Sequence, residues 1–475
     1  MQHLDDEIAL MRKALEKLTA ERDALGAYVD AHNALLSPVR RLPRDIIEEI
    51  FMACLPTGRN CVMCAAEAPV ILGRICSSWR AISFGTPKLW SRLHVVHPYS
   101  ANSVLHKAKV AQRLEVADAW LKRSGNCPLS ISLEGAIVHQ NFIAEQDQFL
   151  KLFIPHASRW QNIYLSIPSA VLETLSHLTE NDVPLLEGMK LALSSQHDDS
   201  LAWTSSGIFH APNLSRFSIS RSIITASSLP LRWVQLTDLD LMGPPLGAGH
   251  PQMSSFFGPQ ETPPRDLIIE LLFLHILDLM CFGAPLLISE QFLSHLSLPK
   301  LRDFKLDGLE DPQDSAASAD LLVSFLAAST CLETISIGSG TFSKSSLTNV
   351  LRGLPPTVCR LIIESRGRYS SARVALDDDI LATLEGSTLC PALQVLVVSS
   401  ASCEMSDEAL LRFIISRMPT LRRVDIAFNR EMQVDILPEL QSFLENGLQI
   451  SLAYTMPPPP NFSPWMGLPD VLPQI

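Results

Sequence analysis

One six-residue phrase, apolar-x-x-apolar-x-apolar, recurs ten times between residues 160 and 426 and constrains this chain more than any other feature. It first reads Trp160-x-x-Ile163-x-Leu165, then Leu186-x-x-Met189-x-Leu191, Leu214-x-x-Phe217-x-Ile219, Leu236-x-x-Leu239-x-Leu241 and Leu274-x-x-Leu277-x-Leu279. It continues as Leu301-x-x-Phe304-x-Leu306, Leu332-x-x-Ile335-x-Ile337, Val358-x-x-Leu361-x-Ile363, Leu393-x-x-Leu396-x-Val398 and Leu421-x-x-Val424-x-Ile426. Ile131–Leu133 and Ile450–Leu452 read as degenerate end units. Alternate apolar residues over so short a run predict a strand with one buried face. A single such strand cannot bury that face alone, so each unit needs its neighbours.

The last residues of successive phrases lie 22 to 38 positions apart. Helical stretches are predicted between many of them, at 170–179, 316–328, 343–352, 378–384, 407–417 and 436–444. Strand and helix in each unit, stacked, predict an α/β solenoid over residues 127–455 with a parallel sheet on its concave side. The alternative is a doubly wound α/β domain. The spacing and phrase resemble leucine-rich repeats, although the asparagine of the strict repeat is missing. Gly243 to Arg265, rich in Pro and Gly, reads as an excursion from the rhythm. Residues 456–475, opening on Met456 and four prolines, read as an extended tail.

Residues 37–93 form a different module. Pro43 suits a helix entry, Asp45, Glu48 and Glu49 favour its first turns, and Ile46, Ile47, Ile50 and Phe51 fall at helical spacing. Pro56 closes that helix. A second amphipathic segment runs from Ile71 to Ile82 with Ile75, Trp79 and Ile82 in a stripe, and Pro87 precedes an aromatic anchor, Trp90. The order Leu-Pro-x-Asp-x-Ile-x-x-Glu-Ile-Phe, Trp-Arg-x-Ile-Ser, Thr-Pro-x-Leu-Trp closely resembles the F-box. That resemblance implies docking onto the Skp adaptor of Skp–cullin–F-box ubiquitin ligases. By match, Leu42, Pro43, Ile46, Ile50, Phe51, Trp79 and Trp90 are the docking or core positions. The inter-helix loop, Pro56 to Pro69, is longer than in a minimal F-box. The other reading is a helical hairpin whose apolar residues serve only its own core.

Ahead of this module, Leu4, Ile8, Met11, Leu15, Leu18, Arg22, Leu25, Val29, His32 and Leu36 alternate by four and three residues, a coiled-coil seam over residues 1–36. It predicts a coiled-coil dimer or a helix laid along another subunit, the alternative being packing back on the chain's own first helical module. Val39-Arg40-Arg41 reads as a basic hinge, and residues 94–126 as a helical linker. Net charge is −12, which argues against a nucleic-acid partner. Residues 37–93 hold eight Lys/Arg against four Asp/Glu, a net of +4, so the remainder carries −16. A basic module on an acidic chain favours an acidic docking partner. Ten scattered cysteines and an acidic N-terminus predict a reduced, cytoplasmic or nuclear protein. Glu270, His275 and Asp278 interrupt the most membrane-like run, 267–288, so no membrane span is expected.

No catalytic grouping is legible: no Gly-x-Ser-x-Gly elbow, no phosphate loop, no His-Glu-x-x-His. Cys61-Val62-Met63-Cys64 with Cys54 and Cys76 is a weak zinc pattern, since ordinary buried thiols also explain it. Asp377-Asp378-Asp379 sits where a helix begins, and capping accounts for it. The expectation is therefore a non-enzymatic substrate receptor without metal or cofactor. It would dock to a Skp adaptor and present a target to a cullin-RING ligase. The alternative is a coiled-coil and solenoid scaffold without ubiquitination. Residues between the inward apolar ones would face the target: Lys190, Asp240, Met242, Asp278, Met280, Lys305, Asp307, Glu364 and Asp425. Asp240, Met242, Asp278, Met280 and Asp307 predict an acidic, partly apolar face for a basic segment, unless the carboxylates are simply solvated.

Overall fold

A computed structural model of the chain describes residues 2–36, 42–98, 103–135, 143–194, 206–220, 230–242, 269–281, 293, 296–308, 315–338, 342–364, 376–385, 389–399, 403–428 and 430–454. The expected hinge at 39–41, the excursion at 243–265 and the tail at 456–475 lie outside the described residues. The chain divides into two compact units. The first runs to His94 and includes Val116–Cys127; the second holds Val95–Glu115 and the residues from Pro128 onward.

In the first unit, helix α1 (Gln2–Leu36) precedes α2 (Arg44–Ala53), α3 (Leu72–Ile75) and α4 (Ser77–Phe84). A single 3-10 turn, Pro87–Trp90, follows. The segment expected as one helix from Ile71 to Ile82 is broken at Cys76, whose backbone is extended (φ −156°, ψ 170°). Cys76 instead caps α4, its Sγ accepting from the Trp79 N–H. Trp90 is buried, donates from Nε1 to the Ser83 carbonyl at 2.8 Å, and meets Trp120 edge-on at 4.8 Å. Phe51 is fully buried against Trp79 at 4.9 Å. Strand β1 (Arg92–Val96) crosses the division, as does α5 (Ser103–Arg123), so the stretch expected as a mere linker contributes Trp120 to the first unit's core.

The second unit is organised by its sheet. The strands are β2 (Leu129–Glu134), β3 (Trp160–Pro168), β4 (Gly188–Ser194), β5 (Arg216–Ser220), β6 (Asp238–Met242), β7 (Ile269–Glu270), β8 (Ile276–Cys281) and β9 (Leu296–Ser297). They continue as β10 (Asp303–Gly308), β11 (Thr334–Gly338), β12 (Arg360–Glu364), β13 (Val395–Ser399), β14 (Arg423–Ala427) and β15 (Gln449–Ala453). β7 and β9 pair separately; the other twelve stand in one sheet in strict chain order. From β2 onward neighbouring strands of that sheet are parallel.

All ten phrases lie on these strands in one register. Leu165, Leu191, Ile219, Leu241, Leu279, Leu306, Ile337, Ile363, Val398 and Ile426 form a single row, each beside the next. Every one is buried, and so are the fourth residues of the phrases. The second phrase residue closes each step: the carbonyl of Glu187 accepts from the N–H groups of Ser215 and Arg216, and that of Ser215 from Thr237 and Asp238. The same forked bond repeats from Thr237, His275, Arg302, Glu333, Cys359 and Gln394. Variable spacing between phrases is thus absorbed outside the sheet, and the register is kept.

The helices follow the expectations unevenly. Helices α7 (Ser315–Ala328), α8 (Lys344–Arg352), α9 (Asp378–Leu384) and α10 (Asp407–Arg417) lie where predicted, after α6 (Ile143–Phe153). The stretch expected as a helix at 170–179 is a 3-10 turn, Ser169–Leu175; Thr174, Ser176 and Thr179 are weak helix formers. At 436–444 only α11 (Gln441–Glu445) is helical, because Pro438 lacks an N–H and keeps the preceding residue out of the α region.

Candidate functional site

Two surfaces carry the sequence-predicted residues, one in each unit. In the first, α2 presents two adjacent rows of apolar side chains, and the fold separates them. Ile47 and Phe51 turn inward, while Ile46 (44% exposed) and Ile50 (39%) remain open to solvent. Pro43 is exposed at the helix entry and Leu42 is half-buried. Arg44 pairs with Glu48 one turn on, at 2.6 Å, along the same helix. Ile71, Ile75 and Phe84 are further exposed apolar residues of this unit. Of the seven docking-or-core positions, Phe51 and Trp90 are therefore core. Trp79 is half-buried against Phe51, leaving Ile46, Ile50 and Pro43 as exposed positions.

The long loop after α2 is tied down. Arg92 donates to the carbonyls of Pro56 (2.9 Å) and Arg59, Arg59 pairs with Glu67, and the Cys61 carbonyl accepts from the His94 N–H at 2.7 Å. Burial pushes the Cys61 thiol up, against the opposing pull of Arg92 and Arg59. Cys54 and Cys76 are exposed while Cys61 is buried, and the described residues hold no group of three or more metal-ligating side chains. Asp377 caps α9 by accepting from the Ile380 N–H, as the capping reading has it, and Lys344 bridges Asp377 and Asp379.

In the second unit, residues between the two buried rows share the opposite face of the sheet. Tyr164, Lys190, Ser218, Asp240, Asp278 and Lys305 lie in one row across six strands, with Asp240 directly opposite Asp278. Like charges so placed repel. The neighbours on either side offset them: Ser218 Oγ donates to Asp240 at 2.9 Å, and Lys305 Nζ stands 3.8 Å from Asp278. Asp307 lies opposite Met280, which in turn faces Met242. Over β6, β8 and β10 this face bears Asp238, Asp240, Asp278, Asp303 and Asp307 against Lys305 alone. Met280 is not the exposed apolar contact expected of it. It is buried, and the Met242 side chain lies outside the described residues.

A polar crossing that sequence reading missed lies on the same face. Arg216 reaches over Gly188 to Asn162 at 2.8 Å, the three residues standing in register on β5, β4 and β3. A Cβ on Gly188 would come within 2.7 Å of the Asn162 oxygen, so only glycine leaves that path open. Only the glycine within an apolar strand could have signalled it.

A scan of protein-family models finds none that matches this chain, and a search of curated proteins finds no match either. No helix among the described residues is long and apolar enough to cross a membrane; the run at 267–288 contributes β8.

Proposed function

We propose that this protein is a substrate receptor of the Skp–cullin–F-box type. Its first unit docks a Skp adaptor and its sheet unit holds a target for ubiquitin transfer by the cullin-RING subunits. The observation that carries the reading is the division of labour on α2: Ile47 and Phe51 make the core while Ile46 and Ile50, one position before each, are left in water. A hairpin serving only its own core gains nothing from two exposed isoleucines one turn apart. The basic balance of residues 37–93 supports an acidic partner, through steering of encounter more than through affinity. The sheet's regular stacking and broad polar face support a leucine-rich-repeat-like binding role. In this reading the chain positions its target and makes or breaks no bond.

The test is co-purification of the full chain with a Skp adaptor, for wild type and for a variant carrying alanine at Leu42, Pro43, Ile46 and Ile50. Wild type is expected to retain the adaptor and the variant to lose it, with the melting of both unchanged to within about 1 kcal/mol. Equal recovery by both would sink the adaptor reading.

The acidic face over β6, β8 and β10 is proposed to receive a basic segment of the target. Changing Asp240 and Asp278 to asparagine should reduce capture of basic proteins from a lysate at low salt, where surface charge counts most, and leave adaptor binding intact. Unchanged capture, compared by quantitative mass spectrometry, would remove this face from the account.

A further inference from the structure

We propose that α1 is one strand of a parallel, in-register, two-stranded coiled coil formed with a second copy of this chain. This inference does not depend on the adaptor reading. At 1.5 Å per residue the 35 residues of α1 extend about 52 Å. Along that length its apolar seam finds no cover among the described residues of its own chain: Ile8, Met11, Leu15, Leu18, Leu25 and Val29 are 46 to 66% exposed. A helix of this kind needs its stripe buried to be stable in water, and a repeat of alternating three and four residues is shaped for another helix of the same repeat.

Charge selects the partner and its direction. Arg22 is the one charged residue in the seam, and Glu21 flanks the seam beside it. In the single chain Arg22 pairs with exposed Asp23 at 2.7 Å, and Glu21 stands 3.9 Å from Lys17. Such exposed contacts hold little. In a parallel pair in register, the seam arginine of each copy packs beside the flanking Glu21 of the other, giving two complementary contacts at one level. Glu7 of each copy also comes opposite Arg12 of the other, the usual flanking pair of a parallel coiled coil. An antiparallel pair centred on the helix would place Glu21 against Glu21 and leave Glu7 and Arg12 without each other. A buried polar residue at one level fixes register at some cost in stability, which is the part assigned to Arg22. The consequence is a receptor with two identical target faces, and so avidity for a target with repeated sites.

The test is sedimentation equilibrium of the full chain at micromolar concentration. Wild type should have about twice the 52.4 kDa mass of one chain. Arg22→Glu, which sets a carboxylate in the seam against Glu21 of the other copy, should weaken association by about tenfold or more, and Glu21→Lys should do the same. The double variant E21K/R22E exchanges the two signs and should restore dimerisation. These positions are exposed in the single chain, so circular dichroism should stay unchanged in the rest of the fold. A Met11→Cys variant, oxidised, should give a peptide linked through residue 11 of both copies. Mass at 52.4 kDa for wild type, undiminished association of R22E, no rescue in the double variant, or a dimer without the residue-11 link would each overturn the proposal.

Discussion

Replacing Asp407 by alanine should destabilise the second unit by about 3–5 kcal/mol, the range for removing one partner of a buried ion pair. Asp407 is 1% exposed at the start of α10. Its carboxylate accepts from Arg430 at 2.8 and 3.2 Å, from the N–H groups of Gln433 and Val434 at 2.8 and 2.9 Å, and from the Tyr454 hydroxyl at 3.0 Å. Arg430 lies over the Phe428 ring, and Phe428 stacks on Tyr454 at 4.8 Å. One carboxylate thus ties α10 to the segments after β14 and β15, where Ile450 and Leu452 are only half-buried and the sheet has no further strand among the described residues. Burial pushes the Asp407 carboxyl up, but the hydrogen bonds from Arg430, Val434, Gln433 and Tyr454 together hold it below its usual value. Its contribution is therefore complete above the unfolded carboxylate value of about 3.9 and is lost as pH falls through the lower folded value. Urea melting of wild type and D407A should differ most near neutral pH and converge in acid. A gap near neutrality of under about 1 kcal/mol would show that this cluster does not hold the end of the sheet.

Trp90→Ala should have an effect of the same order in the first unit, about 3–5 kcal/mol. The ring is 2% exposed, touches Trp120 at 4.8 Å and Phe84 at 5.7 Å, and lies under the Arg123 guanidinium at 4.9 Å. Truncation leaves a cavity and also strips the buried Ser83 carbonyl of its indole donor. Hydrogen exchange over Arg44–Phe84 should accelerate strongly, and Trp90→Phe, which restores ring volume without the N–H, should recover part of the protection. Protection equal to wild type in the alanine variant would mean that Trp90 is not the centre of this core.

The sheet was legible because its signal is redundant. Each phrase carries three apolar residues, each of the three is buried, and ten copies in order leave one way to stack them. Helices α9 and α10 were legible from acidic starts and apolar periodicity, Asp377 and Ser406 supplying the caps. The exposed face of α2 was legible only in part. Ile46, Ile47, Ile50 and Phe51 are equally apolar, and a helical period cannot say which of two neighbouring rows meets the core. The break at Cys76 was invisible because the residues around it keep helical spacing. The Asp407 cluster joins residues 23 to 47 positions apart with no repeat, so no local pattern announces it. Met280 shows the reverse failure: its place in the register was right, but alternation alone did not predict that its side chain is buried.

The most direct test of the account is calorimetric titration of a purified Skp adaptor into the full chain, for wild type and for Ile46→Asp with Ile50→Asp. Both side chains are exposed, so the variant should fold as wild type does while the exposed face of α2 becomes charged. The account predicts saturable binding by wild type and a loss of about a hundredfold or more in the variant. No binding by folded wild type, or equal binding by both, would contradict it.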